Sequence, residues 1–272
     1  MNRITVFGNG YIGSQIAKHL ECDVVDTKIK SYKDMEKAFD GKKPDVIINA
    51  IGVTGTPNVD ACEKDVDGTL LANSFVPIIL AEYCHRNGIK FVHISSGCIF
   101  HHNYTKDEPI KDDDYPDYFD LFYSRTKIYS EMAIRQMCKE NGWLILRIRI
   151  PFDGSKSERN LLSKLLSFKT VIEIKNSVTY IPDFLKALKW LIDGGENGIY
   201  NIVNDPIYYS EILKCYREET DREFNLMPKS ELSMPRTNLI MSNEKIHDSG
   251  FDMLSSEDVI KKSVDEYIGE EK

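Results

Sequence analysis

Several things are scarce in this sequence. Its six cysteines, Cys22, Cys62, Cys84, Cys98, Cys138 and Cys215, stand singly with no CxxC pair, which excludes the dense disulfide framework of small secreted domains. Reduced thiols and no metal site are expected. Basic charge is short as well: 35 Lys and Arg against 43 Asp and Glu give a formal charge of −8 and a pI near 5.4. That balance argues against a nucleic-acid partner. No apolar run is long enough to span a bilayer, and Met-Asn-Arg leads only into the short stretch Ile4–Phe7 before Gly8, so no signal-peptide core is read. A cytoplasmic protein with no membrane partner is the expectation. Internal repeats, low-complexity tracts and long linkers are also missing.

What is present is a chain of 272 residues, 42% hydrophobic, enough for one large α/β domain with a smaller lobe. Short β-branched runs at Ile4–Phe7, Val24–Val25, Val46–Ala50, Phe91–Ile94 and Leu144–Ile148 read as strands. Between them Ile12–Leu20, Met35–Phe39, Leu70–Arg86 and Leu121–Asn141 carry apolar residues at helical spacing. The alternation predicts a doubly wound, Rossmann-type parallel sheet over residues 1–152. After Pro151 the rhythm changes. A helix is predicted over Asn160–Phe168, short strands at Val171–Ile174 and Val178–Tyr180, a helix capped by Asp183 and running to Ile192, and a buried strand at Ile199–Val203. Residues 153–272 form the expected substrate lobe, centred on Tyr209–Asn243 and closed by a helix at Ser256–Ile268, with 178–204 returning to the sheet domain. The acidic run Asp112–Asp114 with Tyr115–Tyr118 reads as a solvated loop.

Gly8-Asn9-Gly10-Tyr11-Ile12-Gly13 follows a strand and opens a helix, the context in which GxGxxG binds a dinucleotide. The first glycine permits the tight turn, the second lets backbone approach the pyrophosphate, and the third lets helix pack on strand, while the helix N-terminus supplies N–H groups. Asp26, at the end of the second strand, is placed to bind the ribose 2′-hydroxyl of NAD, whereas Lys28 or Lys30 would meet the 2′-phosphate of NADP; the choice stays open. Ala50 and Gly52 put small residues at the carboxyl edge of the sheet.

Tyr123 and Lys127, in Tyr123-Ser124-Arg125-Thr126-Lys127, project from one helix face a turn apart. An ammonium there lowers the phenol's pKa from about 10, so the tyrosine gives a proton to the alkoxide formed as hydride arrives. Ser96 ends the fourth strand, where it would hydrogen-bond a substrate carbonyl, and Cys98 would face the same side if the chain stays extended.

With these residues assembled the chain resembles an extended short-chain dehydrogenase/reductase, specifically the nucleotide-rhamnose synthase/epimerase-reductase family. The markers are Val53-Thr54-Gly55-Thr56-Pro57-Asn58-Val59-Asp60-Ala61-Cys62-Glu63, Ser96-Gly97-Cys98-Ile99-Phe100, Phe122–Lys127, Arg147-Ile148-Arg149-Ile150-Pro151 and Pro235-Arg236-Thr237-Asn238. The resemblance implies a UDP- or dTDP-linked 4-dehydro-6-deoxyglucose, epimerised at C3 and C5 and reduced at C4 to the L-rhamnose nucleotide, with NADPH as cofactor and NADH not excluded. It implies Cys98 and Lys164 as the base and acid of epimerisation, Pro151 beside the cofactor, and Thr54, Asn160, Arg236 and Asn238 on the substrate, Arg236 at its diphosphate. It also implies a homodimer and an upstream 4,6-dehydratase. The loop is one residue shorter than the family's usual GxxGxxG. The alternatives are a monofunctional 4-reductase, a GDP-fucose-type epimerase-reductase, which would carry histidine in place of Lys164, and a non-catalytic regulatory subunit.

Overall fold

The computed structural model describes residues 3–39, 43–56, 58–101, 108–138, 142–220, 222–231 and 238–269. In chain order the elements are β1 (Ile4–Phe7), α1 (Tyr11–Leu20), β2 (Asp23–Val25), α2 (Tyr32–Phe39), β3 (Val46–Asn49), α3 (Val66–Leu70), α4 (Val76–Asn87), β4 (Lys90–Ser96), α5 (Phe122–Met137) and β5 (Trp143–Ile148). There follow β6 (Pro151–Phe152), α6 (Leu161–Ser167), β7 (Thr170–Glu173), β8 (Lys175–Tyr180), α7 (Ile181–Asp193), β9 (Gly198–Asn201), β10 (Asn204–Tyr208), α8 (Tyr209–Thr220), β11 (Asn225–Pro228), α9 (Glu244–Asp248) and α10 (Ser256–Gly269). No helix among the described residues is long and apolar enough to cross a membrane, and no cluster of His, Cys, Asp or Glu among them is arranged to hold a metal.

The chain divides into two compact units. The first comprises Met1–His101, Tyr115–Arg147 and Leu191–Tyr200. Its six-stranded sheet has the order β2-β1-β3-β4-β5-β9, with β1 paired in parallel to β2 and β3, and β3 to β4. This is the predicted Rossmann-type doubly wound fold. All four residues of β3 are buried, as expected of a parallel strand covered on both faces. Chain direction across the sheet reverses after β1: β2 lies on one side and β3 on the other. The reversal creates a switch point, where such sheets hold their ligands. The predicted helix Leu70–Arg86 is broken. It starts earlier, at Val66, passes through a π turn at Leu71–Phe75, and resumes as α4 with Pro77 in its first turn and Gly88 in left-handed conformation (φ +64°) at its end.

The second unit comprises His102–Asp114, Ile148–Trp190 and Asn201–Lys272. It holds a three-stranded sheet, β10-β8-β6, and a two-stranded one, β11-β7. Phe152, Leu162, Val178, Ile207, Ile212, Val259 and Val264, each fully buried, fill its core. The return of 178–204 to the large sheet is narrower than expected: β9 joins it, while β8 belongs to the second unit. Asp183 is not a cap, because α7 begins at Ile181; its buried carboxylate instead accepts from Asn204 Nδ2 and Leu254 N–H, both at 2.7 Å. Nor is Asp112 solvated. It is buried and accepts the Asn201 N–H at 2.5 Å.

Candidate active site

The loop after β1 fits a dinucleotide on steric grounds. Gly8 has φ +106°, and a Cβ there would lie 2.8 Å from the backbone of Ala50 and Ile51. A Cβ on Gly13 would lie 1.9 Å from the Gly8 carbonyl oxygen, so α1 packs against β1 only without a side chain at that point. Gly10 differs: it caps α1 in extended conformation and a Cβ there would meet nothing within 4 Å. That open ground, with Asn9 exposed and Tyr11 and Ile12 half-buried beside it, is where a pyrophosphate would approach the helix N-terminus. Asp26 is exposed and follows Val25, whose partner in β1 is Phe7. It therefore sits one residue beyond the pair that leads into the glycine loop. Lys28 and Lys30 are exposed on the same segment.

Ala50 and Gly52 follow β3 at the switch point. A Cβ on Gly52 would come within 3.3 Å of Lys127 Nζ and 3.5 Å of Asn73 Oδ1, so glycine there leaves room for an ammonium. Lys127 and Tyr123 are both buried, 4% and 5% exposed, in the first turns of α5. Burial pulls the Lys127 pKa down to about 8, against the opposing charge of Glu131. Lys127 Nζ has the Ile94 carbonyl at a long 3.4 Å. Ser96 ends β4 and accepts the Cys98 N–H at 3.1 Å, which leaves its own hydroxyl proton to donate. Cys98 is not extended as expected. Gly97–Ile99 form one 3-10 turn capped by Ser96, and Ser124 of α5 holds the Cys98 carbonyl at 2.5 Å. The thiol is half-buried at the edge that carries Ser96.

Four residues beside these had no role in the sequence reading. Asn73, in the π turn, accepts the Val53 N–H at 2.8 Å and donates to the Val53 carbonyl at 3.0 Å and to Thr126 Oγ1 at 3.2 Å. It ties the loop after β3 to α5. His93, fully buried, has Asn49 Nδ2 at 2.9 Å from its Nδ1 and stays neutral, since burial and Lys127 both hold its pKa well below 6.5. Glu131 and Arg147 form a fully buried ion pair. The signal for the last was a lone arginine in the apolar strand Trp143–Ile148, which demands an acidic partner.

In the second unit Lys164 stands on α6 and lines a cavity of about 450 Å³, with Arg149, Thr170, Asn176 and Tyr209 as the other polar residues and Phe168 and Met227 among the apolar ones. Ile150, in the same wall, has φ +43°, a strained value for a β-branched residue. Pro151 follows it in β6, opposite Thr179. Asn160 is buried and committed locally: its Oδ1 caps α6 through Leu162 N–H, and its Nδ2 bonds Asp153 and Ser155. Asn238 is buried, with Nδ2 3.2 Å from the Lys175 carbonyl. Thr54, in the first unit, is exposed after β3. Arg236 lies outside the described residues. Thus Ser96, Cys98, Tyr123 and Lys127 are brought to one sheet edge, and Lys164 to a cavity of its own unit.

Residues 2–179 match the family model described as the RmlD substrate binding domain. The chain belongs to that family. It is 29% identical over 228 residues to the bifunctional dTDP-4-dehydrorhamnose 3,5-epimerase/dTDP-4-dehydrorhamnose reductase of Arabidopsis thaliana, covering 79% of this chain and 74% of the relative. It spans about a third of the length of three trifunctional proteins from that plant, which join a UDP-4-keto-6-deoxy-D-glucose 3,5-epimerase and a UDP-4-keto-L-rhamnose reductase to a UDP-glucose 4,6-dehydratase. Among solved structures it superposes on the L780 UDP-rhamnose synthase of Acanthamoeba polyphaga mimivirus with a TM-score of 0.85 at 24% identity, covering 97% of this chain and 98% of that one. The dTDP-4-dehydrorhamnose reductase of Bacillus anthracis, in complex with NADP, gives 0.80 at 19%, with full coverage of both. These two likenesses are of fold.

Proposed function

We propose that this RmlD-family chain is an NADPH-dependent reductase of UDP- or dTDP-linked 4-dehydro-6-deoxy sugars, and that it epimerises C3 and C5 before reducing C4 to the L-rhamnose nucleotide. The observation that carries the reading is the convergence of Ser96, Tyr123 and Lys127 at the carboxyl edge of β4, beside the switch point that holds Gly8–Gly13. A reduced nicotinamide bound at the glycine loop would supply the hydride to C4. Ser96 donates a hydrogen bond to the ketone oxygen, and Tyr123 gives its phenolic proton to that oxygen as it becomes an alkoxide. Lys127, mostly protonated at pH 7 with its pKa at about 8, stabilises the phenolate left behind. Lys127, buried one helical turn from Tyr123, suits this use.

Epimerisation uses the same ketone, which acidifies the protons on C3 and C5. Cys98 removes each as thiolate, charge passes to O4 as an enolate, and the Lys164 ammonium returns a proton to the opposite face. The similarity to a bifunctional relative named for both 3,5-epimerase and reductase supports these roles. NADPH is favoured by the likeness to the NADP-bound reductase, and exposed Lys28 and Lys30 are the residues for its 2′-phosphate; Asp26 favours NADH. The 4-ketone must be supplied by a nucleotide-sugar 4,6-dehydratase. A cytoplasmic homodimer is proposed, its contact on the exposed Phe75, Tyr129 and Met132 of the first unit.

The test is incubation with UDP-4-dehydro-6-deoxyglucose in heavy water, with NADPH, NADH or neither, followed by nicotinamide absorbance and product NMR. Deuterium at C3 and C5 without cofactor, and L-rhamnose nucleotide with it, is the expected result. Cofactor oxidation without deuterium uptake would leave a 4-reductase alone, and dinucleotide binding without turnover a regulatory subunit.

A further inference from the structure

Glu131 and Arg147 have no part in the reaction proposed above, yet both are 0% exposed. Stability does not account for them, because an apolar pair of the same volume serves a core as well or better. Their contacts suggest another use. Glu131 accepts from Arg147 Nε at 3.2 Å to both oxygens and from Nη2 at 2.9 Å, and Ser95 Oγ donates to its Oε1 at 2.5 Å. The Arg147 guanidinium lies 5.0 Å over the Phe100 ring. Glu131 stands one helical turn beyond Lys127, Ser95 adjoins Ser96, and Phe100 is two residues past Cys98. One carboxylate thus joins the helix that carries Tyr123 and Lys127 to the strand end and turn that carry Ser96 and Cys98.

A second link runs alongside through neutral groups. Asn49 Oδ1 accepts the Ile51 N–H at 3.1 Å, which orients Nδ2 to donate to His93 Nδ1; His93 Nε2 faces Ser130 Oγ at 3.5 Å, and Ser130 donates to the Lys127 carbonyl at 2.9 Å. Among the described residues, the charge that acts on the Lys127 ammonium is that of Glu131 on α5, itself paired with Arg147 of β5, and neutral His93 of β4 feels the Lys127 charge.

We propose that Glu131, fixed by Arg147, is a positioning residue for ketone reduction: it sets α5 against Ser96 and keeps a negative charge one turn from the Lys127 ammonium. The inference rests on the reductase reading. Its charge opposes the desolvation that draws Lys127 down to about 8. Reduction needs Lys127 protonated, so the rate falls as pH rises through that value.

The test compares pH profiles of kcat and KM for the full chain, Glu131→Gln, Glu131→Asp and the double variant Glu131→Leu/Arg147→Met, with the Lys127 pKa read separately by NMR of protein carrying 13Cε-lysine, assigned through Lys127→Met. In Glu131→Gln the falling limb should move to lower pH by about one unit, kcat at pH 7.5 should drop about tenfold, and KM should stay within twofold. Glu131→Asp should restore the limb without restoring kcat in full. The apolar double variant keeps the core filled, and should fold, bind cofactor and turn over about tenfold more slowly. A limb and Lys127 pKa unchanged in Glu131→Gln would overturn the proposal, as would wild-type kcat in the double variant. If the wild-type protein turns nothing over, the reductase reading fails, while the NMR titration still decides whether Glu131 governs Lys127.

Discussion

The two units of this protein use their buried polar groups differently. At the carboxyl edge of its parallel sheet the first buries Asn49, Asn73, His93, Ser95, Lys127, Ser130, Glu131 and Arg147, joined by short-range hydrogen bonds. The second packs Phe152, Leu162, Val178, Ile207 and Val264 into an apolar core with a cavity beside it, and its buried Asn160, Asn176, Asp183 and Asn204 each accept a backbone N–H of the same unit. A polar network fixes the positions of charges to tenths of an ångström, at a cost in desolvation. An apolar wall fixes a shape and a volume. Under the proposed function the first arrangement serves ketone reduction, so substitutions in the two places should fail in different ways.

The largest effect should come from Tyr123→Phe, which removes one oxygen and should lower the reduction rate by about 10²–10⁴-fold, with cofactor affinity and melting temperature near wild type. Stopped-flow cofactor oxidation measures the first, titration and calorimetry the others. A collapse in stability would mean the phenol is part of the packing and would blur the contrast. Leu162→Ala should show the opposite pattern. Leu162 is fully buried in the second unit's core, and its truncation should cost about 2–5 kcal/mol in denaturant unfolding, while the rate at saturating substrate in the folded fraction changes little.

Lys127→Met should abolish turnover and raise stability together. In the folded protein the Lys127 pKa lies at about 8 against 10.5 for the free side chain, so between those values the unfolded chain holds the proton more tightly and stability rises with pH. Below pH 8 the buried ammonium costs about 3 kcal/mol at 1.36 kcal/mol per unit. Lys127→Met should therefore unfold at higher denaturant than wild type at pH 7, and the gap should close as pH climbs from 8 to 10.5. A constant gap would place the gain in packing.

The first unit was largely legible because its parallel strands are apolar runs and its helices show helical spacing: β1 lies at the predicted residues, and α1 and β5 differ by one residue at one end. Local pattern failed where long-range contacts decide. The π turn at Leu71–Phe75 leaves no periodic signature, so Asn73 was hidden in an apolar helical stretch. The strand β10 was missed because Asp205 and Pro206 are poor strand residues; it is an antiparallel strand at the end of its sheet, with a register shift between Asn204 and Ile207, where such residues are tolerated. Tyr123, Lys127, Ser96 and Cys98 were singled out through motif context, but the turn at Cys98 depends on the Ser96 and Ser124 hydroxyls. Glu131 and Arg147 are 16 residues apart in sequence, a separation that helical and strand periods do not link.

The smallest effect tests whether the polar network has its cost at acid pH as well. His93 is held neutral, with its pKa well below 6.5 through burial first and Lys127 second. As pH falls below 6.5 the unfolded chain takes up a proton at this histidine and the folded protein does not, so stability is lost on the acid side and retained above it. At pH 5.5 the single group accounts for about 1 kcal/mol relative to pH 7.5. His93→Gln keeps an amide to face Asn49 and Ser130 but has no proton to gain. Denaturant midpoints across that interval should flatten by this amount in the variant, with Lys127 making no difference there because it is protonated in both states. An unflattened profile would mean that the acid sensitivity does not come from His93.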